Sequence, residues 1–165
     1  MELKKIEIGQ TEKVIDIFKK AIKKMIANGI FQWDEIYPSE KDLTDDIKRG
    51  EMYGLVNGEE ILAVIVYNQE SDDEYVKGKW EYTGDNYAVL HRFCVNTDCQ
   101  GRGIGTQMFS MIGSLLQSRG FKAIRFDAFP QNPVSLKIYE KLGYKKAGEI
   151  NLRKGVFNLY EKLLQ

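Results

Sequence analysis

The sequence predicts an α/β protein: a mixed, mostly antiparallel central sheet of about six to seven strands flanked by about four helices. Three observations carry this. A strand–helix–strand passage over 87–129 demands a right-handed crossover and a parallel strand pair. Hairpin signals at Asn57-Gly58 and Lys154-Gly155 demand antiparallel pairs elsewhere. Apolar residues at helical spacing alternate with short β-rich runs along the chain.

Leu3–Ile8 alternates loosely and reads as a first strand. Thr11 can cap a helix whose apolar positions are Val14, Ile17, Phe18, Ala21, Ile22 and Met25, with Gly29 ending it. Ser39 stands three residues before Asp42 and opens a second helix, with Leu43 and Ile47 on one face and Gly50 as the stop. Met52–Val56 and Ile61–Tyr67 form a hairpin, Asn57-Gly58 supplying positive φ values for its turn. The stretch from Asn68 to Gly84 reads as a loop with an acidic cluster at Glu70, Asp72, Asp73 and Glu74.

Tyr87–Val95 is a strand, Gly101–Gly105 a glycine-rich turn, and a long helix runs on to about Arg119. Ala123–Phe129 is the next strand. Asn132-Pro133 opens a short helix that ends before Gly143, and two strands follow near Ala147–Leu152 and Val156–Lys162.

The chain has 165 residues and shows no repeat or linker, so it reads as one domain over 1–165. Lys plus Arg is 24 and Asp plus Glu is 24. That balance gives no overall field to attract nucleic acid or a membrane surface. Met1–Gln10 has no signal-peptide apolar region, and Ile61–Tyr67 is far too short to span a bilayer. The expected location is cytoplasmic. Cys94 and Cys99, with one histidine, do not make a structural zinc site, and both read as reduced thiols.

The chemistry concentrates at Leu90–Thr106, a strand, a glycine-rich loop and a helix start. The first turn of a helix presents unpaired N–H groups and partial positive charge. Gly101, Gly103 and Gly105 permit left-handed backbone, and Gln100 and Arg102 add donors. Such a junction can cradle a pyrophosphate. It equally suits a tight turn whose glycines serve chain geometry. It is neither a P-loop nor an early dinucleotide fingerprint.

Gln100-x-x-Gly103-x-Gly105 resembles the Q/R-x-x-G-x-G/A motif of the GNAT acetyltransferases, and Asn132, Tyr139, Gly143 and Tyr144 are similar to that family's N-x₆-Y-x₃-G-F/Y pattern. The resemblance is best over 87–146 and implies a splayed parallel pair at the centre of the sheet. It also implies acetyl-coenzyme A as co-substrate. The pyrophosphate would lie on Gln100, Gly101, Arg102, Gly103, Ile104, Gly105 and Thr106. Backbone groups of Phe93, Cys94 and Val95, with Asn132, would hold the pantetheine. The Val95 N–H would polarise the thioester carbonyl, and Tyr139 would act as general acid toward the leaving thiolate.

Other readings stand beside these. Asn132 with Pro133 is a helix start in its own right. Tyr139 shares a helical face with Leu136 and Leu142, as a core aromatic would. Gly143 is a helix C-terminal glycine with no chemistry assigned. His91, with an ordinary pKa of about 6.5, is a candidate general base or a hydrogen-bonded strand residue. Glu81 is an alternative base, and Val89 stands where some relatives carry a catalytic glutamate, which leaves the base unassigned.

Trp33 and Trp80, with Tyr37 and Tyr82, fall in segments that would cover an acceptor in similar proteins. They suit loop anchors as well. A covalent route through Cys94 is rejected because alternation sets His91 and Cys94 on opposite strand faces. The expected activity is acetyl transfer to a primary amine of a small molecule or peptide, by direct attack in a ternary complex. The alternative is an acyl-coenzyme A-binding regulatory module without turnover. No nucleic-acid, membrane or metal partner is expected, and a homodimer through a sheet edge is compatible with the mixed sheet.

Overall fold

The alternation at the amino terminus yields a short strand, β1 (Glu2–Lys5), in the computed structural model, which describes residues 1–165. The strand is shorter than Leu3–Ile8 because the chain turns at Ile8–Gln10, a 3₁₀ segment closed by Glu7 N–H donating to Gln10 Oε1 at 2.8 Å. Helix α1 (Thr11–Ala27) follows and buries Val14, Ile17, Phe18 and Ala21. Gln10, not Thr11, occupies the cap position. The Thr11 hydroxyl instead donates to the Ile8 carbonyl at 2.6 Å.

Helix α2 (Glu40–Lys48) starts where Ser39 and Asp42 predict it. Asp42 N–H donates to Ser39 Oγ at 3.0 Å, and Ser39 N–H donates to Asp42 Oδ2 at 2.8 Å. Two otherwise orphaned backbone donors are satisfied reciprocally. Strands β2 (Met52–Asn57) and β3 (Glu60–Asn68) form the expected hairpin. Its positive φ falls on Gly58 alone, at 63°, so Asn57 closes the strand pair and only glycine takes the left-handed position. That is the φ signature of a type II′ turn.

Strand β4 (Tyr87–Val95) leads through the glycine loop to α3 (Ile104–Ser118) and β5 (Ala123–Ala128). The parallel ladder pairs Tyr87–Val89 with Ala123–Arg125, and both strands continue past it. Helix α4 (Pro133–Lys141) precedes the hairpin of β6 (Lys145–Leu152) and β7 (Gly155–Leu163). β5 pairs antiparallel with β7 along its whole length. The strand order is β1-β2-β3-β4-β5-β7-β6, a seven-stranded mixed sheet with one parallel pair. No helix is long and apolar enough to cross a membrane.

Two compact units divide the chain, 1–67 with 91–108, and 68–90 with 109–165. The first is built on Val14, Phe18, Trp33, Leu43, Met52 and Val64, all nearly inaccessible to solvent. The second carries an aromatic cluster: Phe126 lies 4.7 Å from Tyr139, 5.0 Å from Tyr144 and 5.6 Å from Tyr160, centroid to centroid. Each such pair adds about 0.5–1.5 kcal/mol beyond area burial.

Candidate active site

In the first unit, β4 ends at Val95 and a 3₁₀ turn, Thr97–Cys99, is opened by Asn96, whose side chain accepts from Asp98 N–H at 3.1 Å. Gly101 follows at φ 83° and Gly103 at φ 72°, and α3 begins one residue later. A Cβ at either glycine would meet no atom within 4 Å. The glycines therefore answer a conformational demand rather than a shortage of space. Gly105 differs from expectation: it lies inside the first turn of α3, where left-handed freedom is unused.

Gln100, Arg102 and Gly103 are exposed, Ile104 and Gly105 are buried, and Thr106 is half-buried. Gln100 Oε1 accepts from Lys24 Nζ at 2.7 Å. That bond ties the last turn of α1 to the loop and brings a second cation to it beside Arg102. Sequence reasoning missed Lys24; the lysines at 19, 20, 23 and 24 were the available signal. The loop, the helix start and two cations form an arrangement that receives a phosphate-type anion.

Arg92 interrupts β4 with φ 49°, the one non-glycine residue in the left-handed region. Its guanidinium grips Asp46 with two bonds, Nε to Oδ2 at 2.6 Å and Nη2 to Oδ1 at 2.8 Å, and Nη1 donates to the Tyr37 hydroxyl at 2.8 Å. Burial pushes the Asp46 carboxyl above its ordinary value, against the downward pull of Arg92. A strained backbone held by a buried ion pair is a common feature of functional sites. Strict alternation fails at Arg92, so it cannot separate His91 from Cys94. The covalent route fails for another reason: Cys94 is buried, and desolvation holds its thiol protonated by pushing the pKa far up. Phe93, Val95 and His91 are half-buried on the same strand.

Trp33 is 7% exposed and packs on Phe18 at 5.3 Å, so it serves the core. Both cysteines are free; Cys99 Sγ donates to Glu60 Oε1 at 3.3 Å.

In the second unit, Asn132 caps α4, its side chain accepting from Ser135 N–H at 3.5 Å, with Pro133 as the first helical residue. Tyr139 is 6% exposed within the aromatic cluster. Burial pushes its phenol well above the ordinary tyrosine value, so it stays a proton donor across neutral pH. Trp80 Nε1 donates to the Tyr75 carbonyl at 2.8 Å, and its ring covers the Arg125 guanidinium at 4.3 Å. The Tyr87 ring lies 3.9 Å from that guanidinium on its own account. Arg125 also pairs with buried Glu161 at 3.0 Å and donates to the Tyr82 carbonyl. A Cβ at Gly78 would collide with the Trp80 ring. An open depression of about 710 Å³ is lined here by Trp80, Tyr82, Asp85, Tyr87 and Arg125.

The acidic stretch is more ordered than a solvated loop. Asp72 caps a 3₁₀ turn, Asp73–Lys77, through Glu74 N–H at 2.9 Å, and Lys77 pairs with Glu74 at 2.9 Å. The turn buries Tyr75, whose hydroxyl donates to Asp127 Oδ2 at 2.6 Å. Glu81 is exposed, and its N–H donates to Glu161 Oε1 at 2.7 Å.

A mixed sheet with one parallel pair, crossed by a strand, a left-handed glycine loop and a helix start, defines a protein class that holds a phosphorylated ligand at that junction. The chain belongs to the acetyltransferase (GNAT) family, whose model matches residues 19–144. Solved structures share the fold. A GNAT-family acetyltransferase of Streptococcus agalactiae is 21% identical, with TM-score 0.87 over 99% of this chain and 95% of that one. The paia N-acetyltransferase of Thermoplasma acidophilum, in complex with coenzyme A, is 19% identical, with TM-score 0.73 over 98% of both chains. The yncA protein of Salmonella typhimurium, with its cofactor acetyl-CoA, is 11% identical, with TM-score 0.73 over 99% of this chain and 94% of that one. No curated protein sequence matches the chain significantly.

Proposed function

We propose that the protein is an acetyl-coenzyme A-dependent N-acetyltransferase that acts on a primary amine of a small molecule or peptide by direct attack in a ternary complex. The observation that carries this is the junction of β4, left-handed Gly101 and Gly103, and the α3 start, in a chain of the GNAT family. Structures of similar fold hold coenzyme A and acetyl-CoA.

The donor set fits the coenzyme. Backbone N–H groups of the loop and of the first turn of α3, through Thr106, would bind the pyrophosphate, with Arg102 and Lys24 supplying positive charge. Phe93, Cys94 and Val95 would offer backbone groups to the pantetheine, and the Val95 N–H would stabilise charge on the carbonyl oxygen. Asn132 would bind the pantetheine with the polar capacity that capping leaves. When bound, the coenzyme supplies an activated acetyl group. Tyr139 would protonate the departing thiolate, a role its raised pKa permits because the proton is present to be given.

The deciding experiment is thiol release from acetyl-coenzyme A across polyamines, amino acids, aminoglycosides and short peptides. Release with one class establishes the activity and its acceptor. Tight coenzyme binding with no release by any amine would instead support the regulatory-module reading.

A further inference from the structure

We propose that Asp127 is the general base of this reaction and that Tyr75 holds it in place. The inference rests on the acetyltransferase reading and deepens it, since that reading leaves the base open.

Asp127 lies on β5 two residues beyond Arg125, where the parallel ladder with β4 ends, while β7 still pairs it through Leu159. It is half-buried. Its Oδ2 receives the Tyr75 hydroxyl at 2.6 Å, a short, charge-assisted bond across 52 residues of sequence. A carboxylate has about four acceptor positions, so one such bond orients it without exhausting it. The Tyr75 phenol, pushed well up by burial and by the neighbouring carboxylate, stays a donor.

Asp127 also acts on Tyr139, whose phenol its charge helps to raise. Adjacent strand residues point to opposite faces. Tyr139 packs on Phe126, and the carboxylate of Asp127 meets Tyr75. The pair thus stands apart while remaining within electrostatic reach. That is the arrangement needed when one group takes a proton from an amine and the other gives one to a sulfur.

The balance is direct. The N–C bond forms as the C–S bond breaks; the amine proton passes to the Asp127 carboxylate and the Tyr139 proton to the thiolate. Asp127 then returns its proton to the Tyr139 phenolate through solvent, which restores both groups.

The test compares wild type, D127N, Y75F and Y75F/D127N with acetyl-coenzyme A and the panel amine giving the fastest wild-type release, over a range of pH. The titratable and charged groups facing the carboxylate are Tyr75 and Asp72 from the 72–77 segment, Tyr139 from α4, and the Arg125–Glu161 pair from β5 and β7. None of them is altered in D127N. Its amide is isosteric and still accepts the Tyr75 hydroxyl, and the double variant leaves no orphaned hydroxyl.

The expected result is a kcat for D127N lower by roughly 10²–10⁴-fold near neutrality, with the Kd for coenzyme A unchanged. The deficit should shrink as rising pH supplies neutral amine from solution. Y75F should lose about tenfold or less, because it loosens the base without removing it, and the double variant should match D127N. A D127N rate within about threefold of wild type overturns the proposal. So do equal losses in D127N and Y75F with no recovery at high pH, which would make Asp127 only an acceptor for Tyr75. Absence of turnover in wild type itself would overturn the acetyltransferase reading first, and this inference with it.

Discussion

Gly103 shows how one residue can matter through its backbone alone. Its φ of 72° is costly for any side chain, yet no atom crowds the position. Gly103→Leu should fold, with a stability loss of about 1–2 kcal/mol from the left-handed penalty. Its affinity for coenzyme A should fall at least tenfold in titration calorimetry, because the side chain would stand on the ligand's side of an exposed loop. Unchanged affinity would remove the loop from the binding site. Tyr139 poses the opposite case, a phenol whose ring is fully explained by packing and whose hydroxyl is not. Tyr139→Phe keeps the rings on Phe109, Phe126 and Tyr160. It should therefore lower kcat by roughly 10²-fold or more while leaving coenzyme affinity and Tm near wild type. Equal turnover would assign the residue to the core.

Elements here are joined by buried charge as well as by apolar contact. Arg125 binds the loop before β4 to the sheet: two rings cover it, Glu161 pairs with it, and the Tyr82 carbonyl accepts from it. Arg125→Met keeps apolar bulk under Trp80 but strands Glu161, which is 5% exposed. The expected cost is about 3–5 kcal/mol in urea unfolding. A cost under about 1 kcal/mol would mean that Glu161 finds other partners. Helix and strand limits were largely legible. Ser39 and Asp42 announce α2 because a capping box is a local pattern, satisfied within four residues. Thr11 misled because its hydroxyl has a competing local acceptor at Ile8, so the cap moved to Gln10. β1 was overextended because alternation was weak and the reciprocal Glu7–Gln10 bonds favour a turn.

At the scale of the whole molecule, a ligand that binds only the native state stabilises it by mass action. Coenzyme A at about 100 times its Kd should raise unfolding free energy by about 2.7 kcal/mol. A thermal-shift series should show this for coenzyme A and acetyl-coenzyme A and not for NAD. Equal stabilisation by NAD would mean that the loop recognises pyrophosphate without selecting the coenzyme.

The sequence by itself determined the element order, the parallel passage around β4 and β5, the glycine loop and the family. All of these are local periodicities, turn residues or fixed spacings, and short-range physics suffices to write them. Only the tertiary structure decided which charges meet. Arg92 finds Asp46 across 46 residues, Arg125 finds Glu161 across 36, and Tyr75 finds Asp127 across 52. No periodicity encodes such partners. The left-handed turn at Arg92 is of the same kind, because no local residue preference asks for it. The surrounding packing sustains such a conformation, and that packing exists only once the chain has folded.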